Sequence, residues 1–151
     1  PKELQKKTYL LCIENNINYE LALSAFYLES QFNVRKASRN NDKSVDEGLA
    51  QFNNKSKEWY AKIAGVKNFN PFDPEQAIQV YVKTLCYLRD YWENQGITDE
   101  DKLWRYCLNS YNMGIEQYKK YIKSTDIISR PYDRLIYKYK NQLETTGSIR
   151  D

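Results

Sequence analysis

Apolar residues recur at helical spacing along almost the whole of this chain, and that periodicity limits the fold more than any other feature. Leu4, Leu11, Cys12 and Ile13 mark a first amphipathic helix ending near Asn15-Asn16. Tyr19–Ser30 carries Leu21, Ala22, Ala25, Phe26 and Leu28 on more than one face, which predicts a central, buried helix. Asn54 is read as the cap of a helix through Ala64, closed by Gly65. Asp73-Pro74-Glu75-Gln76 has the cap, the first-turn proline and the return residue of a capping box, and opens a helix to about Trp92. Thr98 is read as the cap of the next, which Gly114 breaks; a short helix follows over 116–122, and a last one starts near Ser129. The count of only 5 Gly and 4 Pro in 151 residues argues against a loop-rich all-β design. The expectation is an all-α single domain over 1–151, with little or no sheet and a frayed tail at 145–151.

One stretch interrupts the periodicity. Residues 31–47 are polar, Asn-rich and charged, and are read as a long loop. Long ordered loops in compact domains are often functional.

The chain has no histidine. This removes Ser-His-Asp and Cys-His catalysis and any His-ligated metal, leaving carboxylates, hydroxyls, thiols, Lys and Tyr to carry chemistry. Cys12, Cys86 and Cys107 each lie inside an apolar helical pattern and read as buried, inert thiols; the alternatives are a thiol nucleophile, which would lack a histidine base, and one disulfide with one thiol left over. The balance of 23 basic and 20 acidic residues gives a net charge of +3, too small a bias to indicate nucleic-acid binding. No apolar run approaches membrane-spanning length, no signal peptide is visible in this chain, and no metal or organic cofactor is implied.

Glu29 stands out on physical grounds. It ends a very apolar helix, in Ala25-Phe26-Tyr27-Leu28-Glu29-Ser30. A carboxyl desolvated there has its neutral form favoured, and a neutral carboxylic acid can protonate a leaving-group oxygen. The bland reading is a helix-end glutamate pointing into water. Two further segments set an amide side chain near a glycine: Gly48-Leu49-Ala50-Gln51 and Ser110-Tyr111-Asn112-Met113-Gly114. Amides both donate and accept, which suits hydroxyl and N-acetyl groups, although turn chemistry alone would also use them.

Together these segments resemble the lytic transglycosylase SLT family, whose catalytic domain is lysozyme-like and of the goose type. Glu29-Ser30-Gln31-Phe32-Asn33, Ser38, Gly48-Leu49-Ala50-Gln51, Asp73-Pro74-Glu75-Gln76 with Ile78, and Tyr111-Asn112 with Gly114 run in that family's order, over about residues 20 to 140. The family reads Glu-Ser-x-Phe-Asn, Gly-Leu-Met-Gln, Asp-Pro-x-x-Asn-Ile and Tyr-Asn-Ala-Gly. The resemblance implies a helical fold with a long active-site loop, and cleavage of the β-1,4 bond between N-acetylmuramic acid and N-acetylglucosamine in peptidoglycan. It implies that Glu29 is the acid and then the base, that Gln51 lines the groove, that Tyr111 and Asn112 hold the sugar and Glu29, and that Ser38 lies near an N-acetyl group. Tyr and Trp rings are expected along the glycan groove. The resemblance also implies action on the extracellular, cell-wall or periplasmic side, or from a phage, with glycan strands as partner and membership of a larger wall-remodelling, secretion, conjugation or phage protein. The chain departs from the pattern at Ala50 for Met, Val34 for Pro, Ala77 for Asn, and Ile128 where a glutamate is common; its Ser38–Gly48 stretch is also longer.

That longer stretch opens a second mechanism. Asp42, Asp46 or Glu47 could face Glu29 and activate water, which would make a hydrolytic muramidase; inverting pairs stand about 6.5–9.5 Å apart and retaining pairs about 5–5.5 Å. The alternative for these acids is a solvated loop. From another class, a non-catalytic wall-binding or assembly module would keep the same fold.

Overall fold

The structure is a computed structural model and describes residues 1–151. Seven helices hold 63% of the chain, and the remaining regular structure is one small sheet. The chain forms two compact units, 1–84 and 85–151.

In the first unit, α1 (Lys2–Glu14) and α2 (Tyr19–Ser30) are joined by a tight turn. The Asn18 side chain caps α2 by accepting the Leu21 N–H at 2.8 Å. Leu21, Ala22, Ala25 and Phe26 of α2 are buried, and the Phe26 ring meets Tyr81 edge-on at 5.0 Å. Full burial of a phenylalanine is worth roughly 1.5–3 kcal/mol, so α2 anchors this unit. The helix stops because Gln31 and Phe32 both turn left-handed, at φ 51° and 63°. Two such residues in succession carry strain for side chains with a Cβ, and they leave Glu29 in the final turn.

The segment expected as a long loop contains two strands. β1 (Ala37–Arg39), β2 (Val45–Glu47) and β3 (Phe52–Asn53) form an antiparallel sheet in that order. Strands of two or three residues are too short to display a period-2 pattern. Ser38, Asp46 and Asn53 stand directly opposite one another across the three strands, so they share a face. Glu47 and Phe52 take the other face, where Phe52 is buried against Phe69 at 5.0 Å and Tyr60 at 5.4 Å.

Two helix starts in the first unit differ from expectation. Asn54 does not cap α3 (Lys57–Ala64); its Oδ1 accepts the Val45 N–H and its own N–H donates to Val45 O, so it closes the sheet, and Ser56 takes the cap position. Asp73 does cap α4 (Pro74–Asn94), but the Gln76 side chain turns back to the Asn70 N–H.

In the second unit, Asp99, and not Thr98, caps α5 (Glu100–Met113) by accepting the Lys102 N–H at 2.9 Å. Gly114, at φ +87°, separates it from α6 (Ile115–Thr125), and α7 (Pro131–Thr146) ends at Gly147. Trp92, Tyr106 and Tyr118 pack edge to face at 4.8–6.1 Å, with the indole N–H donating to Ser110 Oγ.

Gly48 is the glycine at which an added Cβ would collide with main chain. Its φ is +82°, and a Cβ built there would lie 1.9 Å from the Pro71 carbonyl oxygen. Gly48→Ala combines a left-handed backbone with a collision against main chain, and should cost about 3 kcal/mol or more. Gly96→Ala, also at positive φ but with nothing within 4 Å, should cost about 1 kcal/mol. Urea unfolding of the two variants checks this ranking, and equal midpoints would contradict it.

Candidate functional site

Glu29 sits half-buried in the last turn of α2. Its surroundings are organised by Ser30 and Lys36. The buried Ser30 hydroxyl reaches Leu49 O at 2.8 Å and Phe26 O at 3.1 Å, which ties the end of α2 to the Gly48-Leu49 turn. The Lys36 ammonium donates to Glu29 O at 2.7 Å. The Lys36 carbonyl in turn accepts the Gly48 N–H at 2.8 Å and the Gln51 amide at 3.1 Å. Gln51 therefore uses its Nε2 on main chain, at Lys36 O and at Gly48 O, from a left-handed backbone at φ 55°. Only its Oε1 is left clear of these two bonds, so any ligand contact through it is made by an acceptor.

Ser38 is half-buried in β1 opposite Asp46. The three acids proposed as second carboxylates have different surroundings. Asp42 is exposed at the hairpin turn, where hydrogen bonds from the Ser44 hydroxyl and N–H hold its carboxyl below the usual range. Glu47 is ion-paired with Lys57 at 3.4 Å on the face shared with Phe52. Asp46 accepts from Asn53 Nδ2 at 3.0 Å and lies on the opposite face. The Tyr60 hydroxyl is pushed up to about 12 by burial first, and then by the negative charges of Glu29 and Asp46. Both carboxyls thus act electrostatically on one phenol, which stays a hydrogen-bond donor across the physiological range.

In the second unit, Tyr111 is buried and Asn112 exposed in the last turn of α5. Asn112 Oδ1 accepts from Arg130 Nη1 at 2.8 Å. Arg130 caps α7, and its own N–H is bound by Asp133, a fully buried carboxylate. Asp133 is also reached by Arg105, by Asn109 Nδ2 at 2.9 Å and by the Ser129 hydroxyl at 2.8 Å. Burial alone would raise the Asp133 pKa, but these donors outweigh it and hold the carboxyl below the ordinary value.

The sequence reading did not single out Lys36, Tyr60, Arg105 or Asp133. None lies in a recognisable box, and the Arg105 and Asn109 contacts of Asp133 and the Gln51 contact of Lys36 join residues far apart in sequence. The aromatic expectation divides: Trp92 and Trp104 are buried in the second unit, whereas Trp59 is 47% exposed beside Tyr60. No disulfide is formed, and burial pushes the Cys107 thiol far above its usual range, which makes it a poor nucleophile. No helix is long and apolar enough to cross a membrane.

The family model described as Transglycosylase SLT domain matches residues 13–130. No curated protein matches the chain.

Asp133 carries a prediction about acid stability. Its carboxyl binds its proton less readily folded than unfolded, where the pKa is about 3.9. The stabilisation is therefore complete above that value and is lost as pH falls through it and on through the lower folded value. Asp133→Asn should be less stable by about 3 kcal/mol at pH 7, because it leaves Arg105 facing a neutral group. It should also lose less stability than the parent between pH 5 and 3. Thermal unfolding across that range checks both, and parallel curves would contradict the assignment.

Proposed function

The chain belongs to the transglycosylase SLT domain family, and from that premise we propose that it is a peptidoglycan lytic transglycosylase with Glu29 as its general acid and then base. The observation that carries this reading is the position of Glu29: half-buried at the end of an apolar helix, with that end bonded through Ser30 and Lys36 to the Gly48–Gln51 turn. Glu29 donates its proton to the glycosidic oxygen as the bond from that oxygen to the anomeric carbon of N-acetylmuramic acid breaks. The resulting carboxylate takes the proton of the muramic 6-hydroxyl, whose oxygen bonds to the anomeric carbon. The products are a free 4-hydroxyl on N-acetylglucosamine and a 1,6-anhydro sugar, with no water consumed. One carboxyl serves both steps because the substrate supplies the nucleophile, which accords with a chain that has no histidine. Gln51, Ser38, Tyr111 and Asn112 are proposed as sugar contacts. Action on wall glycan places the protein on the wall side of a membrane or on a phage, within whatever larger machine carries it.

A second reading is a hydrolytic muramidase in which Asp46 activates water. Asp46 lies on the polar sheet face with Ser38 and Asn53, whereas Glu47 is ion-paired with Lys57 and Asp42 is exposed at the turn. Digestion of purified peptidoglycan followed by mass spectrometry of the released muropeptides separates the two. Products one water lighter than hydrolysis products are expected, falling at least about 100-fold in Glu29→Gln, the scale of a lost general acid. Asp46→Asn should leave the anhydro product as the main one. Hydrated ends that vanish in Asp46→Asn would establish the hydrolase. No release from several wall types, with glycan binding retained, would leave a wall-binding module.

A further inference from the structure

Asn112 stands in the last turn of α5, three residues after Asn109 and two before Gly114. Residues three apart share a helix face, and the N-terminus of α7 is fastened to both. The backbone N–H of Arg130 is held by Asp133, which Asn109 also holds, and the Arg130 guanidinium reaches Asn112. The guanidinium additionally lies over the Tyr121 ring, 5.6 Å from its centroid. Arg130 is thus fixed at its main chain and at its side-chain tip.

The chemistry of this contact has a direction. A guanidinium has donors and no acceptor, so the atom of an amide that faces it must be the oxygen. With Oδ1 engaged by Arg130, the two N–H groups of the Asn112 amide are turned to the other side, on a residue that is exposed. An unrestrained asparagine presents either end of its amide to a ligand; this one presents donors.

We propose that Arg130 is a positioning residue for Asn112, setting the amide so that Asn112 donates to an acceptor oxygen of the glycan, such as the carbonyl of an N-acetyl group. The sugar part of this inference rests on the glycan-cleaving reading above; the amide orientation does not. Arg130 itself need not touch the substrate. Its backbone bond to Asp133 survives any change of its side chain, so variants at 130 keep the α7 cap.

Two measurements test this. The first is the side-chain amide NMR signal of Asn112 in the parent, Arg130→Lys and Arg130→Met. Arg130→Met should shift the two Asn112 amide proton resonances and lower the order of the side-chain nitrogen in relaxation measurements, and Arg130→Lys should restore part of the parent behaviour. Unchanged signals in Arg130→Met would overturn the proposal whatever the enzyme does. The second is steady-state cleavage of peptidoglycan fragments, with binding of N-acetylglucosamine oligomers measured in a Glu29→Gln background. Arg130→Met and Asn112→Ala should each raise KM and weaken binding by about tenfold, the effect of one lost polar contact, with kcat little changed. The double variant should be no worse than Asn112→Ala alone. Additive losses, or a fall in kcat with KM intact, would overturn the positioning role. If the parent neither cleaves nor binds glycan, the glycan-cleaving reading and the sugar contact fall together, while the NMR signal still decides whether Arg130 sets the amide.

Discussion

The first unit is organised around a place where no side chain fits. Gly48 packs its α-carbon against the Pro71 carbonyl so closely that even a methyl group would overlap it. That approach brings the Gly48–Gln51 turn close to the segment leading into α4. From the same turn, Leu49 O accepts Ser30 and the Gly48 N–H and Gln51 amide converge on Lys36 O. The end of α2, the residue leading into β1 and the turn are therefore one hydrogen-bonded assembly, and Glu29 is a member of it by its own carbonyl. Its backbone is held by these contacts without its carboxylate being needed for any of them.

The second unit has a comparable centre of a different kind. Asp133 is a charge with no exposure, and four donors from α5 and the approach to α7 converge on it. A buried ion pair is poor evidence of added stability, since desolvation offsets the attraction. Its value here is directional: a carboxylate fully surrounded by donors fixes where each of those donors sits. Asn109 Oδ1, by contrast, is buried with no hydrogen-bond partner, at a cost of about 1–3 kcal/mol, while its Nδ2 serves Asp133 and Ile128 O.

Much of the helical plan was legible in the residues because long apolar repeats leave few alternatives. Tyr19–Ser30 emerges with the boundaries read from it, and Gly65 and Gly114 end helices as glycines at positive φ should. The two displaced caps have separate causes. Asn54 and Thr98 are both good capping types, but Asn54 is claimed by Val45 across the sheet, and Asp99 stands one residue beyond Thr98. The hairpin was invisible for another reason: its strands are too short to alternate, and one face of it is polar throughout. Around the site, the boxes were readable as strings, whereas the groups that orient them were not. Lys36 works mainly through its carbonyl and through a long reach to Glu29 O, and no residue type signals either.

The hairpin has a consequence for how a sugar chain would be received. Its turn is closed by Asn40 and Ser44, its tip by Asp42 on Ser44, and its polar face by Asn53 bridging Ser44 and Asp46. A surface ordered in this way has already lost its conformational entropy during folding, so a ligand laid against it does not bear that cost on arrival. A sugar contact made there, as proposed for Ser38, would need no further ordering of the hairpin.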